Sequence, residues 1–217
     1  DFRGLVHLDV NRTHGSELGL GDRLRIDARV NLEGDDLDIE RLDVKGAGDL
    51  ARVQGQFDLD THMTDLTGRL RVDALKPLTS AFDVPVQGHL SMDWSMEGPL
   101  KKPKFKADVD GKNVGYATLP TANVTGSIGF VGGVLEFDRV QMRSDTGSVG
   151  IQGVIDLHTR KRPVKVRLSA RQFELSTLPL GIGLSGRVGL DVRVSGPLKR
   201  PVVKGRARIA RPCWQSP

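Results

Sequence analysis

The sequence has few of the residues on which most catalytic and metal sites depend. Cys213 is the only cysteine among 217 residues, so an intrachain disulfide and a cysteine-based zinc site are both excluded. A serine nucleophile elbow and a phosphate loop ending in lysine are missing. The five histidines are scattered without a paired-ligand spacing: His7, His14, His62, His89 and His158. We therefore predict that the protein is not an enzyme and uses no cofactor or metal.

Long apolar runs and aromatic residues are scarce as well. The best apolar stretch, residues 178–184, is far shorter than the roughly 20 residues of a membrane-spanning helix. Aromatic residues make up 5% of the chain, and the net charge of +5 comes from 32 basic and 27 acidic residues of interleaved sign. Nucleic-acid binding favours basic clusters with stacking aromatics. We predict a solvated charged face and no nucleic-acid partner.

Two local motifs suggest ligands, but their surroundings argue against them. Residues 181–186, Gly-Ile-Gly-Leu-Ser-Gly, match a dinucleotide fingerprint, which requires a helix directly after it. Residues 187–192 alternate like a strand instead. The acidic stretches at 35–38 and 58–60 lack the spacing of a calcium loop. We interpret all three segments as structural or solvated.

Alternation of apolar and polar residues with a period of two is the dominant pattern. Apolar residues from Leu24 to Leu32 alternate with Arg25, Asp27 and Arg29, as in a half-exposed strand. Further alternating segments cover residues 53–59, 68–72, 86–96, 149–157, 164–170 and 186–194, with turn signals between them. This pattern predicts an all-β fold, an elongated, curled antiparallel sheet whose strands follow one another as a meander.

Local irregularities of the alternation carry further predictions. The apolar phase skips a residue between Ile39 and Leu42 and again between Phe137 and Val140, which predicts a β-bulge at each place. The alternation lapses near residues 75–82 and 175–179, where we expect short helical turns.

The chain repeats itself. Gly-Pro-Leu-Lys-Lys-Pro at residues 98–103 returns as Gly-Pro-Leu-Lys-Arg-Pro at residues 196–201, an offset of 98 residues. The same offset aligns residues 37–44 with 135–142 and residues 53–59 with 151–157. Such an internal repeat is typical of stacked modules. We predict a first β repeat unit at 1–98, a second at 99–196 and the start of a third at 197–217, and we expect the chain to be a segment of a longer protein.

The apolar face of these strands is the candidate functional surface. One hypothesis is that it packs on a facing sheet, as in a β-sandwich. The other is that the sheet curls into an open trough, whose aliphatic lining would hold acyl chains without polar contacts. The predicted lining residues offer contact area and no chemistry: Leu24, Ile26, Val30, Leu32, Val124, Ile128, Phe130, Leu135, Phe137, Val149, Ile151, Ile155, Leu157, Val188, Leu190 and Val192.

The repeated unit resembles a known family. Its Gly-Pro-Leu-Lys-Lys/Arg-Pro motif is followed by a short strand, by a Leu-Pro step at residues 119–120 and by Gly-x-Leu-x-Leu strands such as residues 133–137 and 153–157. This combination is similar to the AsmA-like superfamily and, within it, most like TamB. The similarity extends over essentially the whole chain, with residues 1–21 fitting least and residues 212–217 not matching.

This resemblance implies a fold, a location and partners. Such proteins are anchored in the bacterial inner membrane by an amino-terminal helix and cross the periplasm as a U-shaped β-sheet with a hydrophobic groove. They are linked to phospholipid transport between the inner and outer membranes and to assembly of outer-membrane proteins with a barrel partner such as TamA. We expect a periplasmic repeat segment that takes phospholipid acyl chains, in a parent whose other parts contact the membranes.

Two other functions remain open for such a segment. An exposed sheet edge would capture strands of outer-membrane proteins by β-augmentation, which serves assembly or secretion. A purely structural spacer would need neither an open edge nor an accessible interior.

Overall fold

The computed structural model describes residues 2–11, 23–46, 50–76, 86–116, 121–159, 161–174 and 184–214. Thirteen strands account for most of them: β1 (Phe2–Asn11), β2 (Arg23–Glu33), β3 (Asp36–Lys45), β4 (Leu50–Asp58), β5 (Met63–Val72), β6 (Val86–Pro99), β7 (Lys104–Tyr116), β8 (Ala122–Val131), β9 (Val134–Ser144), β10 (Gly147–Asp156), β11 (Pro163–Glu174), β12 (Leu184–Pro197) and β13 (Val202–Trp214).

All thirteen strands belong to one antiparallel sheet, in the order in which they occur along the chain. The sheet is an open meander that does not close on itself, so the predicted all-β, elongated and curled architecture is confirmed. The described residues contain no helix with the length and apolar character that a membrane crossing requires.

The alternating pattern of each strand places its apolar residues on one side of the sheet, next to those of the neighbouring strands. Ile26 of β2 lies opposite Leu8 of β1 and Val44 of β3 in the register, so apolar residues meet across the strands in rows. Charged residues meet on the other side in the same way, as Arg29 and Arg41 do. Because a slip of one residue would exchange the two sides, the apolar rows specify this register.

No second sheet covers the first within the described residues, where each strand packs extensively only against its neighbours in the sheet. The solvent-accessible surface of 15247 Å² compares with roughly 9800 Å² for a compact protein of 23.6 kDa. The sandwich hypothesis therefore does not describe this chain. Its sheet is a single curled layer.

Both predicted bulges are present. The register between β3 and β4 shifts between Ile39 and Leu42. The register between β9 and β10 shifts between Phe137, which pairs with Gly153, and Val140, which pairs with Ile151. Gly55 and Gly153 lie opposite the bulges with φ of 133° and 142°. A Cβ atom there would lie 2.0 Å from the carbonyl oxygen of Asp65 and 2.1 Å from that of Lys165, respectively. Only glycine fits these two positions.

Most strands repeat with the spacing of the sequence motif, but β1 and β5 do not. Strands β6 and β12 start at Val86 and Leu184, and β7 and β13 start at Lys104 and Val202, so each pair is 98 residues apart. In contrast, Gly55 pairs with Leu66 of β5, and Gly153 pairs with Val166 of β11. The two glycines are 98 residues apart, but Leu66 and Val166 are 100 residues apart. The β10–β11 turn is longer by two residues. The division into units at residues 98 and 196 stays a prediction.

The sequence located some elements better than others. Strand β1 was not among the predicted segments, whereas β7 and β13 are the short strands expected after the two copies of the repeated motif. Leu75 and Lys76 have a helical conformation, whereas most of the turn expected at 75–82 and all of that at 175–179 lie outside the described residues.

Candidate functional site: an uncovered apolar sheet face

The apolar face is the side of the sheet to which every second strand residue contributes an aliphatic or aromatic side chain. Near the middle of the sheet one row runs through Trp94, Ala107, Ile128 and Phe137 from β6 to β9. Since each strand adds similar rows in register, the apolar face continues from β1 to β13. At about 4.8 Å between strands, thirteen strands extend roughly 60 Å.

Burial on this face is partial. Only a few apolar side chains are almost fully buried, among them Val72, Ala107 and Val164. Most others on the inner strands are half-buried, which reflects curling without a covering layer. On the outer strands, Phe2 is 59% and Val203 is 62% exposed. An apolar surface of this extent marks a binding surface in soluble proteins.

The structure places nearly all predicted lining residues together. These residues lie on the apolar face with half-buried side chains: Ile26, Val30, Leu32, Val124, Ile128, Phe130, Leu135, Phe137, Val149, Ile151, Ile155, Val188, Leu190 and Val192. Leu157 lies just beyond the end of β10, is 41% exposed and donates its N–H to the carbonyl of Gly133 at 2.8 Å. Leu24 belongs to β2, but its side chain falls outside the described residues.

An aromatic pair on the same face was missed by the sequence analysis. The rings of Trp94 and Phe105 stack with their centroids 6.1 Å apart and an angle of 28° between planes. Met92 and Met96 occupy the neighbouring rows of β6. The alternation of residues 86–96 contained the signal for three of these residues, whereas Phe105 required the register of β7.

The opposite side, called here the polar face, is held by ion pairs between strands. Arg69 on β5 donates to Asp93 on β6 with 2.6 Å between Nε and Oδ1. Arg167 on β11 binds Asp191 on β12 through two hydrogen bonds of 3.0 and 2.5 Å. The hydrogen bond from Arg167 is the main cause that lowers the pKa of Asp191. These pairs are more than half exposed and stabilise the sheet only slightly.

Asp43 is the exception, because two arginines cover it. Its carboxylate accepts from Arg41 Nε at 2.9 Å and from Arg52 Nε at 2.8 Å. The hydrogen bond from Arg41, helped by Arg52, lowers the pKa of Asp43 to about 2, although burial acts in the opposite direction. The residue is 1% exposed. This cluster is a structural anchor of the polar face.

The acidic turns that resembled metal sites have a structural role. Asp58 Oδ1 accepts the N–H groups of Asp60 and Thr61 at 2.9 and 2.8 Å, and Asp156 closes the corresponding turn of β10 in the same way. The hydrogen bond from the Thr61 backbone holds the pKa of Asp58 below its usual value. Among the described residues, no group of three or more metal-ligating side chains comes together.

The dinucleotide motif lacks its helix. Residues 181–183 lie outside the described residues, and the chain from Leu184 to Pro197 is strand β12. This is what the alternation after the motif predicted.

Comparison of the chain with protein-family models, with curated proteins and with solved structures finds no match. The chemistry open to the apolar face therefore has to be inferred from the residues themselves. They provide an extended surface for apolar groups.

Proposed function

We propose that this chain is a passive hydrophobic conduit for phospholipid acyl chains. It would be the periplasmic repeat segment of a TamB-like or AsmA-like protein that is anchored in the inner membrane and transports lipid to the outer membrane. The observation that carries this proposal is an apolar face that crosses all thirteen strands and is covered by no second layer in the described residues.

The energetics favour acyl chains as the occupant. Each methylene group removed from water contributes about 0.8 kcal/mol, so a lipid tail gains from contact anywhere along the face. No specific polar partner is needed on the lining, and rows such as Met92–Val109 and Val124–Met142 offer none. The lipid head group would remain in water at the open rim of the curled sheet.

Photo-crosslinking in cells tests this proposal with two adjacent positions. A photoreactive amino acid replaces Ile128 in the full-length parent, and in a matched variant it replaces Ser127. Ile128 lies between Ala107 and Phe137 on the apolar face. Ser127 points to the other side, where its hydroxyl donates to Asp108 Oδ1.

Phospholipid captured at position 128 and not at position 127 is the expected result. Equal capture at both positions would indicate nonspecific proximity to a membrane and contradict the conduit. Lipid at neither position, with protein adducts instead, would favour the second candidate function.

The second candidate is a scaffold that assembles outer-membrane proteins by β-augmentation. The exposed strand β13 favours it, since the described side chains from Val202 to Arg211 are all exposed. One edge of β13 has no neighbour among the thirteen strands that the structure describes. Its backbone can pair with an added strand. This function needs no lipid on the apolar face, so the same crosslinking experiment separates the two proposals.

A further inference from the structure

The polar face carries an open cleft of about 1250 Å³ at the end of the sheet formed by β9 to β13. Glu174 provides the single carboxylate of its lining. Five arginines also line the cleft: Arg143, Arg171, Arg187, Arg208 and Arg211. The formal charge of the lining, five cations and one anion, is +4.

Register places four of these arginines on one surface, and Arg211 follows Arg208 on β13. Arg143 and Arg171 both lie opposite Ser148, on either side of β10. Arg187 of β12 lies opposite Glu174 of β11, and Arg208 of β13 lies opposite Gly189. The five side chains therefore span the width of five strands, or about 19 Å.

These arginines are not neutralised by acidic neighbours. Ion pairs hold other arginines of this face, such as Arg167 with Asp191. In the part of the chain that the structure describes, no carboxylate lies within ion-pair distance of the cleft arginines. Glu174 Oε1 instead accepts the backbone N–H of Gly186 at 3.0 Å. Arg143 donates to the neutral Gln141 Oε1 at 2.9 Å, which leaves its charge uncompensated. Guanidinium groups without an acidic partner that converge on one cleft attract phosphate and bind its oxygens through paired hydrogen bonds.

The first half of the chain provides an internal comparison. Lys45 and Arg71 lie on either side of Leu50, as Arg143 and Arg171 do around Ser148. His89 pairs with Lys112 where Arg187 pairs with Ala210. The five positions that correspond to the cleft arginines hold residues of mixed charge: Lys45, Arg71, His89, Asp110 and Asn113. The fold therefore does not require five arginines.

We infer that the cleft is a binding site for an anion with several phosphate groups. The spread of the arginines exceeds one phosphate, so the ligand carries several of them or consists of adjacent phosphate-bearing head groups. Arg143, Arg171, Arg187 and Arg208 lie on the side of the sheet opposite to the apolar face, so the site goes beyond the proposed conduit.

Titration calorimetry of the chain with tripolyphosphate at low salt tests the inference. The double variant Arg187→Gln/Arg208→Gln removes two charges from the cleft. The matched control, Lys45→Gln/Arg71→Gln, removes two charges from the corresponding rows of the first half. Since all four side chains are exposed, circular dichroism should show both variants folded.

The expected result is a loss of affinity of about tenfold or more in the cleft variant and a change within about twofold in the control. Equal losses in both variants would overturn the inference, because they would reveal only the net charge of the protein. Failure of the unmodified chain to bind tripolyphosphate would also overturn it.

Cosedimentation with vesicles of phosphatidylcholine, with and without phosphatidylglycerol, identifies the source of the phosphate. If the cleft variant loses binding to phosphatidylglycerol vesicles and tripolyphosphate displaces the unmodified chain, the ligand is a lipid head group. If only tripolyphosphate binding responds to the variant, the ligand is a soluble phosphate anion. Crosslinking of lipid at Ile128 should be unchanged in the cleft variant, so failure of this site and failure of the conduit are distinguishable.

Discussion

Asp43 shows how a single residue on the polar face differs from its surroundings. Most charged side chains there are exposed, and their ion pairs stabilise the sheet little. Asp43 is 1% exposed, and its oxygens accept hydrogen bonds from Arg41 and Arg52. Its pKa of about 2 means that the folded state strongly favours the ionised carboxylate.

The substitution Asp43→Asn should lower the free energy of unfolding by about 1–2 kcal/mol at pH 7. Because the pKa of Asp43 is lower in the folded than in the unfolded state, its contribution is complete above about pH 5 and is lost as the pH falls towards 2. Urea denaturation at pH 7 and pH 3 should therefore show a smaller difference between the variant and the unmodified chain at pH 3.

Asp93→Asn is the control for this prediction. Its carboxylate is 57% exposed and paired with Arg69, so its loss should cost less than about 0.5 kcal/mol. Equal effects of the two substitutions would contradict the role assigned to Asp43.

At the scale of the strands, the bulges are the elements that shape the sheet. A bulge increases local twist and bends the strand. The bulge of β3 faces Gly55, and the bulge of β9 faces Gly153, at equivalent positions of the two halves. Since the backbone at both glycines leaves no room for a Cβ atom, these two sites resist substitution more than other glycines of the sheet.

Gly153→Ala should destabilise the chain by more than about 1 kcal/mol. The new methyl group would meet the carbonyl oxygen of Lys165 at 2.1 Å, at a φ of 142° that alanine rarely adopts. Thermal unfolding followed by circular dichroism measures the effect.

Gly189→Ala serves as the comparison, because a Cβ atom there has its nearest neighbour, the carbonyl oxygen of Ala170, at 3.9 Å. It should leave the midpoint of unfolding nearly unchanged. A midpoint of Gly153→Ala as high as that of Gly189→Ala would argue against the tight bulge.

At the scale of the whole molecule, the chain is a single curved layer whose strands contact their neighbours in sequence. Stability in such a body is a sum of local interfaces and not the property of one central core. The few almost fully buried apolar side chains, such as Val72 on β5 and Val164 on β11, are spread along the sheet. The shape itself leaves the apolar face open.

Small-angle X-ray scattering of the monomeric chain should give a radius of gyration clearly above the about 17 Å of a compact domain of this length. The reason is the roughly 60 Å over which thirteen strands succeed one another. A dilution series separates the monomer from edge-to-edge association. A value near 17 Å at low concentration would mean that the sheet collapses into two packed layers.

Much of the architecture follows from local patterns. The alternation around Ile26 and Val30, the skipped phase after Ile39 and the spacing of the two Gly-Pro motifs were sufficient to predict an antiparallel all-β meander with bulges. Each depends on residues close together in sequence, whose side-chain direction is set by the pleat of the strand. The lining residues of the predicted segments were found for the same reason.

The rest depends on contacts between distant residues. An alternation with a period of two does not distinguish a covered from an uncovered apolar face. Only the tertiary structure decided that, within the described ranges, no second sheet packs on Ile128. It also brought Trp94 against Phe105 and assembled arginines from β9 to β13 around one cleft, since register between strands is absent from any single strand. By itself, the sequence determined the strands and which of their side chains form the apolar face, because the pleat of a strand fixes side-chain direction from neighbouring residues alone. The curling of the sheet and the pairing of its strands decided which surfaces of the apolar face and the polar face are open to a ligand.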